Sequence, residues 1–221
     1  MSTLETTDRS RLRRSHQRAH FDRETVNAIL DAQPMCSVGY LIDGKPYVTP
    51  TLQWREGNHI YWHGSSASRA LRASKDAEVC LTVAILDGFV MARSGMHHSV
   101  NSRSVMLFGR AHKVEDPDAK LQMLGRFVDG LFPDRYGSLR PDHAQDLKAT
   151  TILGMEIKEG SAKIRTGPPL DEDDDYALPI WAGVIPVRTE IGSLIPDPRN
   201  LPGVDVPAHV TNFTLEGRAK R

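Results

Sequence analysis

The segment from His63 to Arg69 holds the residues best suited to chemistry. It reads His63-Gly64-Ser65-Ser66-Ala67-Ser68-Arg69 and joins a strand pattern to a helix pattern. Backbone N–H groups at the start of a helix carry partial positive charge, and serine hydroxyls and a guanidinium add donors for an anion. The segment therefore predicts a phosphate-binding corner. Serines that only cap a helix, with Arg69 on the surface, are the structural alternative.

A second polar segment, Ala92–Val105, lies between two apolar strand patterns. It contains the adjacent histidines His97 and His98, followed by Arg103-Ser104. Neighbouring histidines do not face one site, and no carboxylate stands at HExxH spacing, so we expect no metal site. A histidine that faces a substrate or a flavin is the functional interpretation. Histidines that only make polar contacts within the loop are the structural alternative.

Other nucleotide and hydrolase motifs are absent from the sequence. It has no GxGxxG, no P-loop and no GxSxG, so Rossmann, Walker and serine-hydrolase sites are unsupported. Lys163 and Arg165 point to one side of a strand pattern. We expect them to pair with the acidic segment Asp171–Asp175, although they would also suit the negative groups of a cofactor.

Composition narrows the classes of function. The chain has 221 residues, with 28 Lys and Arg against 28 Asp and Glu, so its formal net charge is zero. Nucleic-acid binding needs a basic surface, and because the net charge is zero we do not expect the protein to bind nucleic acid. No apolar run approaches the roughly 20 residues of a membrane span. The N-terminus lacks the apolar stretch of a secretory signal, and Cys36 and Cys80 stand in apolar runs, so we expect a cytoplasmic protein with reduced core thiols.

Strand patterns dominate the sequence, with a few helices between them. Six or seven antiparallel strands with inserted helices are typical of a closed or split β-barrel, so the expected fold is mainly β. Eight segments carry strand patterns, from which we expect a barrel of six or seven strands: Met35–Leu41, Pro46–Trp54, His59–His63, Glu78–Ile85, Phe89–Arg93, Ser102–Val114, Ala149–Ile157 and Ala162–Arg165, with turns at Asp43-Gly44 and Asp87-Gly88. The expected helices are Arg23–Ala32 behind Asp22, a short helix within residues 65–73, and one from Asp116-Pro117 to Leu131.

The barrel prediction limits where a large ligand can bind. A small barrel has little room inside, so a cofactor must lie at a cleft or at a subunit boundary. Pro50 lies within the strand Pro46–Trp54 and has no N–H to donate to a neighbouring strand. One side of that strand must therefore be a sheet edge, a bulge or a contact with a ligand.

The chain divides into three parts by composition. Residues 1–20 form a polar, basic arm, which is either solvated or packed against a second subunit or an anion. Residues 21–187 form the barrel domain. Residues 188–221 form an irregular tail that is rich in Pro and Gly.

The order of these motifs resembles a known family. The motifs are Pro46-Tyr47-Val48-Thr49-Pro50-Thr51, His63-Gly64-Ser65, Ser68-Arg69, Asp87–Ser94, His97-His98-Ser99, Arg103-Ser104-Val105, Phe108–Ala111, Ser161–Pro169 and Trp181–Pro186. Together they resemble the pyridoxamine 5'-phosphate oxidase-related, FMN-binding split-barrel proteins, in particular the branch with the nitroimidazole-resistance (Nim-type) proteins. The resemblance covers about residues 20–187.

The resemblance implies a homodimer with two FMN sites at the dimer boundary. In such proteins the strand after the first hairpin lines the flavin ring, the strand-to-helix corner binds the phosphate, and the central strand also meets the flavin. The corresponding residues here are Thr49, Pro50 and Thr51 for the ring, Ser68 and Arg69 for the phosphate with Trp62, His63 and Ser65 nearby, and Arg103 and Ser104 on the central strand. An Arg-Lys pair follows the serine in the vitamin-B6 oxidases, whereas this chain has Arg69-Ala70, so Arg103 is the candidate second cation.

The resemblance implies an FMN-dependent oxidoreductase, with reduction of nitro or similar electron-poor small molecules as its specific form. His63 and His98 would then face the substrate. The substrate-binding motif of the vitamin-B6 oxidases is missing from the C-terminal part, so that activity is not expected. The alternative from another class is a flavin-, F420- or haem-binding sensor or storage protein without turnover. Haem would need an axial histidine, for which His63, His97 and His98 are candidates. A barrel without any cofactor is the third alternative.

Overall fold

The computed structural model of the chain describes residues 2–214, which are organised around one ten-stranded sheet. The strands are β1 (Ala19–His20), β2 (Met35–Ile42), β3 (Lys45–Glu56), β4 (His59–Ser65), β5 (Glu78–Met91), β6 (Ser99–Arg110), β7 (His112–Lys113), β8 (Thr150–Glu156), β9 (Glu159–Arg165) and β10 (Gly183–Pro186). The helices are α1 (Arg23–Ala32), α2 (Arg69–Ser74), α3 (Pro117–Leu131), α4 (Ala144–Ala149) and α5 (Ala208–Thr211). Short 3-10 helices cover His16–Arg18, Gly95–His97, Tyr136–Ser138 and Asp173–Ala177.

Strand β3 joins the two halves of the sheet. The strand order is β1-β9-β6-β5-β2-β3-β4-β8-β7, with β10 added on β5. Residues 45–52 of β3 pair with β2, and residues 53–56 pair with β4. All of the paired strands are antiparallel, and the terminal strands of the order, β1 and β7, do not pair with each other. The expected mainly-β, split-barrel architecture is therefore confirmed, as a sheet that is not closed.

Local signals place several elements where the sequence predicts them. Asp22 caps α1 by accepting a hydrogen bond from the Thr25 N–H at 2.8 Å, and the helix ends before Pro34. The two-residue turn Asp43-Gly44 has positive φ at both residues, as a tight hairpin requires. The core is apolar and draws on both halves of the sheet and on α1, including Val26, Val38, Ile60, Trp62, Leu81, Leu107 and Met155.

The prediction of a turn at Asp87-Gly88 is wrong. The chain runs straight through this point as β5, and the register with β6 shifts between Leu86 and Gly88. Asp87 is thus the extra residue of a bulge, because β6 continues as an unbroken partner opposite. A Cβ on Gly88 would lie 3.0 Å from the Ile185 carbonyl oxygen, so a glycine here lets β10 approach β5.

The basic arm before residue 21 contacts its own chain. Leu4 is buried, and its N–H donates to the Phe21 carbonyl at 2.8 Å. Arg9 forms a two-pronged ion pair with Glu159 of β9, with N–O distances of 2.8 and 2.6 Å. Part of the arm therefore packs on its own domain, while most of its residues are exposed, and its contact with a second subunit stays a prediction. The boundaries at residues 20 and 187 stay predictions.

Two other expectations are resolved by burial. Arg165 is buried and donates to the side-chain carbonyl of Asn101 and to the Gly167 and Pro168 carbonyls, so its expected pairing with the acidic segment is wrong. Cys36 is buried, which raises the pKa of its thiol to about 12 and keeps it protonated. Among the described residues, no helix is both long and apolar enough to cross a membrane.

Candidate functional site

A cavity of about 190 Å³ lies where β2, β3, β4 and α2 meet, and we call it the corner cavity. It is lined by Val38, Tyr40, Thr49, Thr51, Trp62, His63, Gly64, Ser68, Ala70, Leu71 and Ser74. Five of the residues expected to bind the cofactor, on three different elements, are thus brought together. These are Thr49, Thr51, Trp62, His63 and Ser68.

The local sequence explains the shape of this corner. Strand β4 ends at Ser65, and Ser68 then caps α2, with its hydroxyl accepting from the Leu71 N–H at 3.4 Å. A Cβ on Gly64 would lie 3.2 Å from Cδ1 of Leu71, so the glycine lets α2 pack closely on the end of β4. Ser65 is exposed beside the cavity, and its hydroxyl accepts from the Ala67 N–H at 3.2 Å.

One wall of the corner cavity is an open strand edge. Residues 45–52 pair with β2 on one side, and no strand within residues 2–214 pairs with their other side. Pro50 therefore lies in an edge segment, as the sequence predicts. Thr49 and Thr51 line the cavity, whereas Pro50 between them is exposed, because successive strand residues face opposite sides. The Thr49 hydroxyl is hydrogen-bonded to the Tyr40 hydroxyl at 2.9 Å.

Arg69 stands next to the cavity without an anionic partner. Its guanidinium lies over the Tyr47 ring, 5.1 Å from the centroid, and Tyr47 stacks on Tyr40 at 5.9 Å. Within the described part of the chain Arg69 forms no ion pair. A cation held on an aromatic face and free of carboxylates is well suited to a phosphate.

His63 is half-buried among aromatic rings. Its ring lies 4.6 Å from Phe127 and 6.0 Å from Trp54, centroid to centroid. Its Nδ1 atom is buried and has no hydrogen-bond partner among the described residues. Burial lowers the pKa of His63, so the imidazole is neutral at neutral pH. A neutral, unpartnered imidazole is the form in which histidine binds a metal centre.

A larger cavity, of about 380 Å³, is lined in part by Trp54 and Phe127, and we call it the α3 cavity. It is formed by α1, β3 and α3. Four of its charged groups form two ion pairs, Arg55 with Asp31 at 2.9 Å and Arg126 with Glu56 at 3.0 Å, and the fifth, Asp129, accepts from the Tyr136 N–H at 2.8 Å. Sequence reasoning did not find this cavity, because its walls come from elements far apart in the chain.

Six expected site residues lie outside the lining of the corner cavity: Pro50, Ser65 and Arg69, which are next to lining residues in the chain, and Arg103, Ser104 and His98, which belong to β6 and the loop before it. Arg103 donates to both carboxylate oxygens of Asp87, at 2.9 and 2.7 Å, and this bonding raises the pKa of Arg103. The Ser104 hydroxyl donates to the Lys163 carbonyl at 3.5 Å. His98 is exposed, with Nδ1 2.9 Å from the Ser94 carbonyl oxygen. Within the described part of one chain, His98 and His63 are therefore not neighbours in a shared site.

The loop around His97 is closed by a group that we call the clasp, formed by Arg93, His97 and Asp171. Asp171 accepts from the backbone N–H of Arg93 at 2.9 Å and from its guanidinium at 3.0 Å. His97 lies 3.8 Å from the same carboxylate. Donor atoms of His97, Asp171 and Asp175 lie within 4.8 Å of one another, but the guanidinium already takes the Asp171 carboxylate, so the cluster is an ion pair rather than a metal site.

Sequence reasoning also missed two kinds of contact residue. Tyr40 and Tyr47 face each other across the hairpin at Asp43-Gly44, and the two-residue turn fixes that register, so the signal was present. Phe127 comes from α3, more than sixty residues after His63, and no local signal places its ring there.

Three solved structures of known proteins are similar to this chain. The Flavocytochrome Anf3 from Azotobacter vinelandii is 50% identical, with a TM-score of 0.91 over 94% of this chain and 97% of that one. An FAD and haem binding protein from Mycobacterium smegmatis is 34% identical, with a TM-score of 0.85 over 89% and 97%. A structure provisionally assigned as a 5-nitroimidazole antibiotic resistance protein from Bacteroides thetaiotaomicron is 19% identical, with a TM-score of 0.56 over 66% and 86%, which shows the fold alone.

Family membership follows from a match over most of the chain. No curated protein matches the sequence. The family described as pyridoxamine 5'-phosphate oxidase matches residues 22–164, which include all of the expected site residues. The chain therefore belongs to the pyridoxamine 5'-phosphate oxidase family.

Proposed function

We propose that the chain is a redox protein that binds both a flavin and haem. The observation that carries this proposal is the position of His63, a neutral histidine that lines a cavity with hydroxyl groups and packs against aromatic rings. Within residues 2–214 its Nδ1 has no hydrogen-bond partner, and the neighbouring Arg69 has no ion pair. The names of the two most similar structures described above, a flavocytochrome and an FAD and haem binding protein, support the same pair of cofactors.

His63 is the residue we assign to the haem iron. Its Nδ1 has no partner within the described residues, and its lowered pKa keeps a proton from competing for the ring. His63 lines the corner cavity and is not among the residues that line the α3 cavity, although the Trp54 and Phe127 rings of the α3 cavity contact it. In His97 and His98 it is Nδ1 that contacts Ser94, an arrangement that leaves the other ring nitrogen for a metal, so both histidines stay alternatives for the iron.

The corner cavity is the place we assign to the flavin. Arg69 offers a guanidinium without a carboxylate, Ser68 and Thr51 offer hydroxyl groups, and the unpaired edge of β3 offers backbone groups to the ring. FMN is the flavin implied by the resemblance seen in the sequence. FAD is the flavin named for the Mycobacterium smegmatis protein, so we include both in the test.

The chain's own residues would bind and orient these groups. When bound, a flavin supplies hydride transfer and haem supplies one-electron and dioxygen chemistry. Arg69 would hold the phosphate, Thr49 and Thr51 would set the polarity beside the ring, and Trp62 would keep water out of the cavity floor. The aromatic rings around His63 would hold its imidazole in a fixed orientation.

A homodimer with the cofactor at the boundary is part of this proposal. The corner cavity of one chain, about 190 Å³, is smaller than the roughly 300 Å³ at which ligand pockets begin, so a second chain would complete it. The Nim-type reduction of nitro compounds is a narrower form of the same redox class. The likeness to the Bacteroides thetaiotaomicron structure supports only the shared fold for that form.

Absorption titrations of the purified chain test the proposal. FMN, FAD and haemin are added separately to the protein, and the spectra and flavin fluorescence are recorded. We expect saturable flavin binding and a sharp Soret band in the same protein. Turnover of dioxygen or of a nitro compound by the loaded, reduced protein then separates an oxidoreductase from a storage protein. A chain that takes up neither flavin nor haem contradicts the proposal.

A further inference from the structure

The α3 cavity shares no lining residue with the corner cavity, and two helices end at its wall. Its volume of about 380 Å³ lies within the usual range for small-molecule pockets, about 300–1,000 Å³. Helix α1 ends at Ala32 and contributes Leu30 and Asp31 to the lining, and α3 contributes five residues, including its last residue, Leu131. The carboxyl ends of α1 and α3 therefore meet at one cavity.

Both of these helix ends lack a compensating cation of their own. The carboxyl end of a helix carries partial negative charge, which lysine or arginine in the last turn usually offsets. The last turns of α1 and α3 contain no basic residue. Arg126 of α3 lies before the last turn and is paired with Glu56. Two negative helix ends at one cavity favour a bound cation over a bound anion.

The side chains of the lining add negative charge in the same place. Three carboxylates and two guanidiniums line the cavity, which leaves a net charge of −1. The two ion pairs described above neutralise four of these five groups. The fifth group is the half-buried Asp129, which accepts a hydrogen bond from the Tyr136 N–H but forms no ion pair within residues 2–214. A ligand with one positive charge would balance the lining.

Gln53 adds a buried hydrogen-bond acceptor to the same lining. The residue is only 3% exposed, and its Nε2 donates to the Leu30 and Gln33 carbonyls at 2.6 and 2.8 Å. Both amide hydrogens are used in this way, which fixes the orientation of the amide. Its Oε1 has no hydrogen-bond partner among the described residues. Because a buried acceptor needs a donor, the lining favours a ligand that carries N–H groups.

Trp54 and Phe127 supply an aromatic surface in the same cavity. Their ring centroids lie 4.8 Å apart, and Leu30, Pro34 and Leu131 complete the apolar part of the lining. Aromatic faces attract cations and also pack against other rings. A ligand that joins an ammonium group to an apolar ring therefore matches both the charge and the surface of the cavity.

We propose that the α3 cavity binds a small primary amine that carries an apolar ring, in its protonated form. The ammonium group would lie near the Asp129 carboxylate and the two helix ends, and the ring would lie against Trp54 and Phe127. This site goes beyond the proposed cofactor sites and does not depend on them, because neither His63 nor any other residue of the corner cavity lines it.

Calorimetric titration of the full-length chain with three probes of similar shape tests the ligand class. The probes are 2-phenylethylamine, 2-phenylethanol and 3-phenylpropanoate, which are cationic, neutral and anionic at neutral pH. We expect saturable binding of the amine, binding of the alcohol that is at least about tenfold weaker, and no measurable binding of the carboxylate. Equal affinities for amine and alcohol, tighter binding of the carboxylate, or no binding of any probe overturns the proposal.

The variant Asp129→Asn tests the charge at the site. It keeps an oxygen that can accept from the Tyr136 N–H but removes the negative charge. We expect the amine to bind at least about tenfold more weakly and the alcohol to bind as before. Asp118→Asn is the matched control, since Asp118 is an exposed residue of α3 outside the lining. Unchanged amine binding by a correctly folded Asp129→Asn variant contradicts the proposal.

The indole N–H signals of the wild-type chain locate the bound amine without any substitution. The Trp54 indole N–H donates to Glu56 at 3.0 Å and belongs to the lining, whereas Trp181 is 67% exposed and lies outside it. We expect 2-phenylethylamine to shift the nitrogen–proton NMR signal of Trp54 saturably and to leave that of Trp181 in place. A shift confined to Trp181 places the amine elsewhere and overturns the proposal.

Titration of the amine in the presence of cofactors separates this site from the proposed function. We expect the same amine affinity with and without bound flavin or haem. Competition between haemin and the amine would make the α3 cavity part of the haem site and would overturn the proposal. A chain that binds the amine but neither cofactor contradicts the proposed function alone.

Discussion

Two regions of the molecule carry the same kinds of polar side chain but differ in how those side chains are partnered. In the corner cavity, Arg69 has no carboxylate and His63 has no hydrogen-bond partner among the described residues. On β6 and the loop before it, Arg103 is bound to Asp87 and His97 lies against Asp171. Side chains that already have partners stabilise the fold, whereas unpartnered ones in a cavity remain available to a ligand.

The difference arises from residues that lie far away in the sequence. Asp171 reaches Arg93 from 78 residues further along the chain, and Asp87 reaches Arg103 across a bulge. Among residues 2–214 no carboxylate pairs with Arg69. Residue type and spacing in the sequence therefore identify side chains that could bind a ligand. Whether such a side chain is already in an ion pair depends on carboxylates from other parts of the chain.

The largest expected effect is on haem binding. We expect His63→Leu to weaken haem binding by about 100-fold or more, since even outer contacts of a metal ligand contribute about 10–100-fold. The matched variant His98→Leu removes an exposed ring held by its own loop and should leave haem affinity unchanged. Haemin titrations followed at the Soret band measure both. Equal losses in the two variants would remove the distinction between the regions.

The next effect concerns the flavin. We expect Arg69→Ala to weaken flavin binding by about 1–3 kcal/mol, the usual range for a charge-assisted contact. Arg103→Ala should change it by less than about 1 kcal/mol, because the Arg103 guanidinium is taken by Asp87. Quenching of flavin fluorescence gives the two dissociation constants. A larger effect from Arg103→Ala would show that a flavin in the dimer contacts β6 instead.

A pH-dependent effect is expected at the clasp. Burial by itself raises the pKa of Asp171, but hydrogen bonds from the Arg93 backbone and guanidinium outweigh it, and the pKa in the folded state lies below its ordinary value of 3.8. Because the folded-state pKa is lowered, the stabilisation is fully present above pH 3.8 and is lost as the pH falls through the folded-state pKa.

The variant Asp171→Asn tests the direction in which this stabilisation changes with pH. We expect it to melt at a lower temperature than the wild type at neutral pH, with the difference shrinking below pH 3.8 as the wild-type carboxylate becomes protonated. Thermal unfolding across the acidic range measures this difference. A gap that stays constant through that range would mean that the charge of Asp171 plays no part.

The smallest expected effect is on stability at β6. The Arg103–Asp87 pair is two-pronged but partly exposed to solvent. We therefore expect Arg103→Ala to lower the free energy of unfolding by about 0.5–1 kcal/mol. Denaturant unfolding measures the change, with Arg69→Ala as the control that breaks no ion pair. A loss in Arg69→Ala equal to that in Arg103→Ala would mean that Arg69 is also a structural residue.

Much of the fold could be predicted from local signals. The cap at Asp22, the hairpin at Asp43-Gly44 and the edge character around Pro50 each depend on residues within a few positions of one another. The bulge at Asp87 could not be predicted, because a turn and a bulge use the same Asp-Gly pair and only the unbroken strand β6 distinguishes them.

The candidate site was predictable in part for the same reason. The strand-to-helix corner from His63 to Ser68 is contiguous in sequence, and the structure assembles it around one cavity. Arg103 was placed in the site by resemblance, whereas in one chain it pairs with Asp87. The Phe127 ring that packs on His63 comes from a distant helix, and periodicity does not show which strand that helix covers.

A crystal structure of the chain loaded with flavin and haem tests the central claim most directly. We expect the haem iron to be bound by a ring nitrogen of His63, and the flavin phosphate to lie beside Arg69 in the corner cavity. A haem bound through His97 or His98, or a flavin phosphate held by Arg103 with the corner cavity filled by its own side chains, would contradict the assignment.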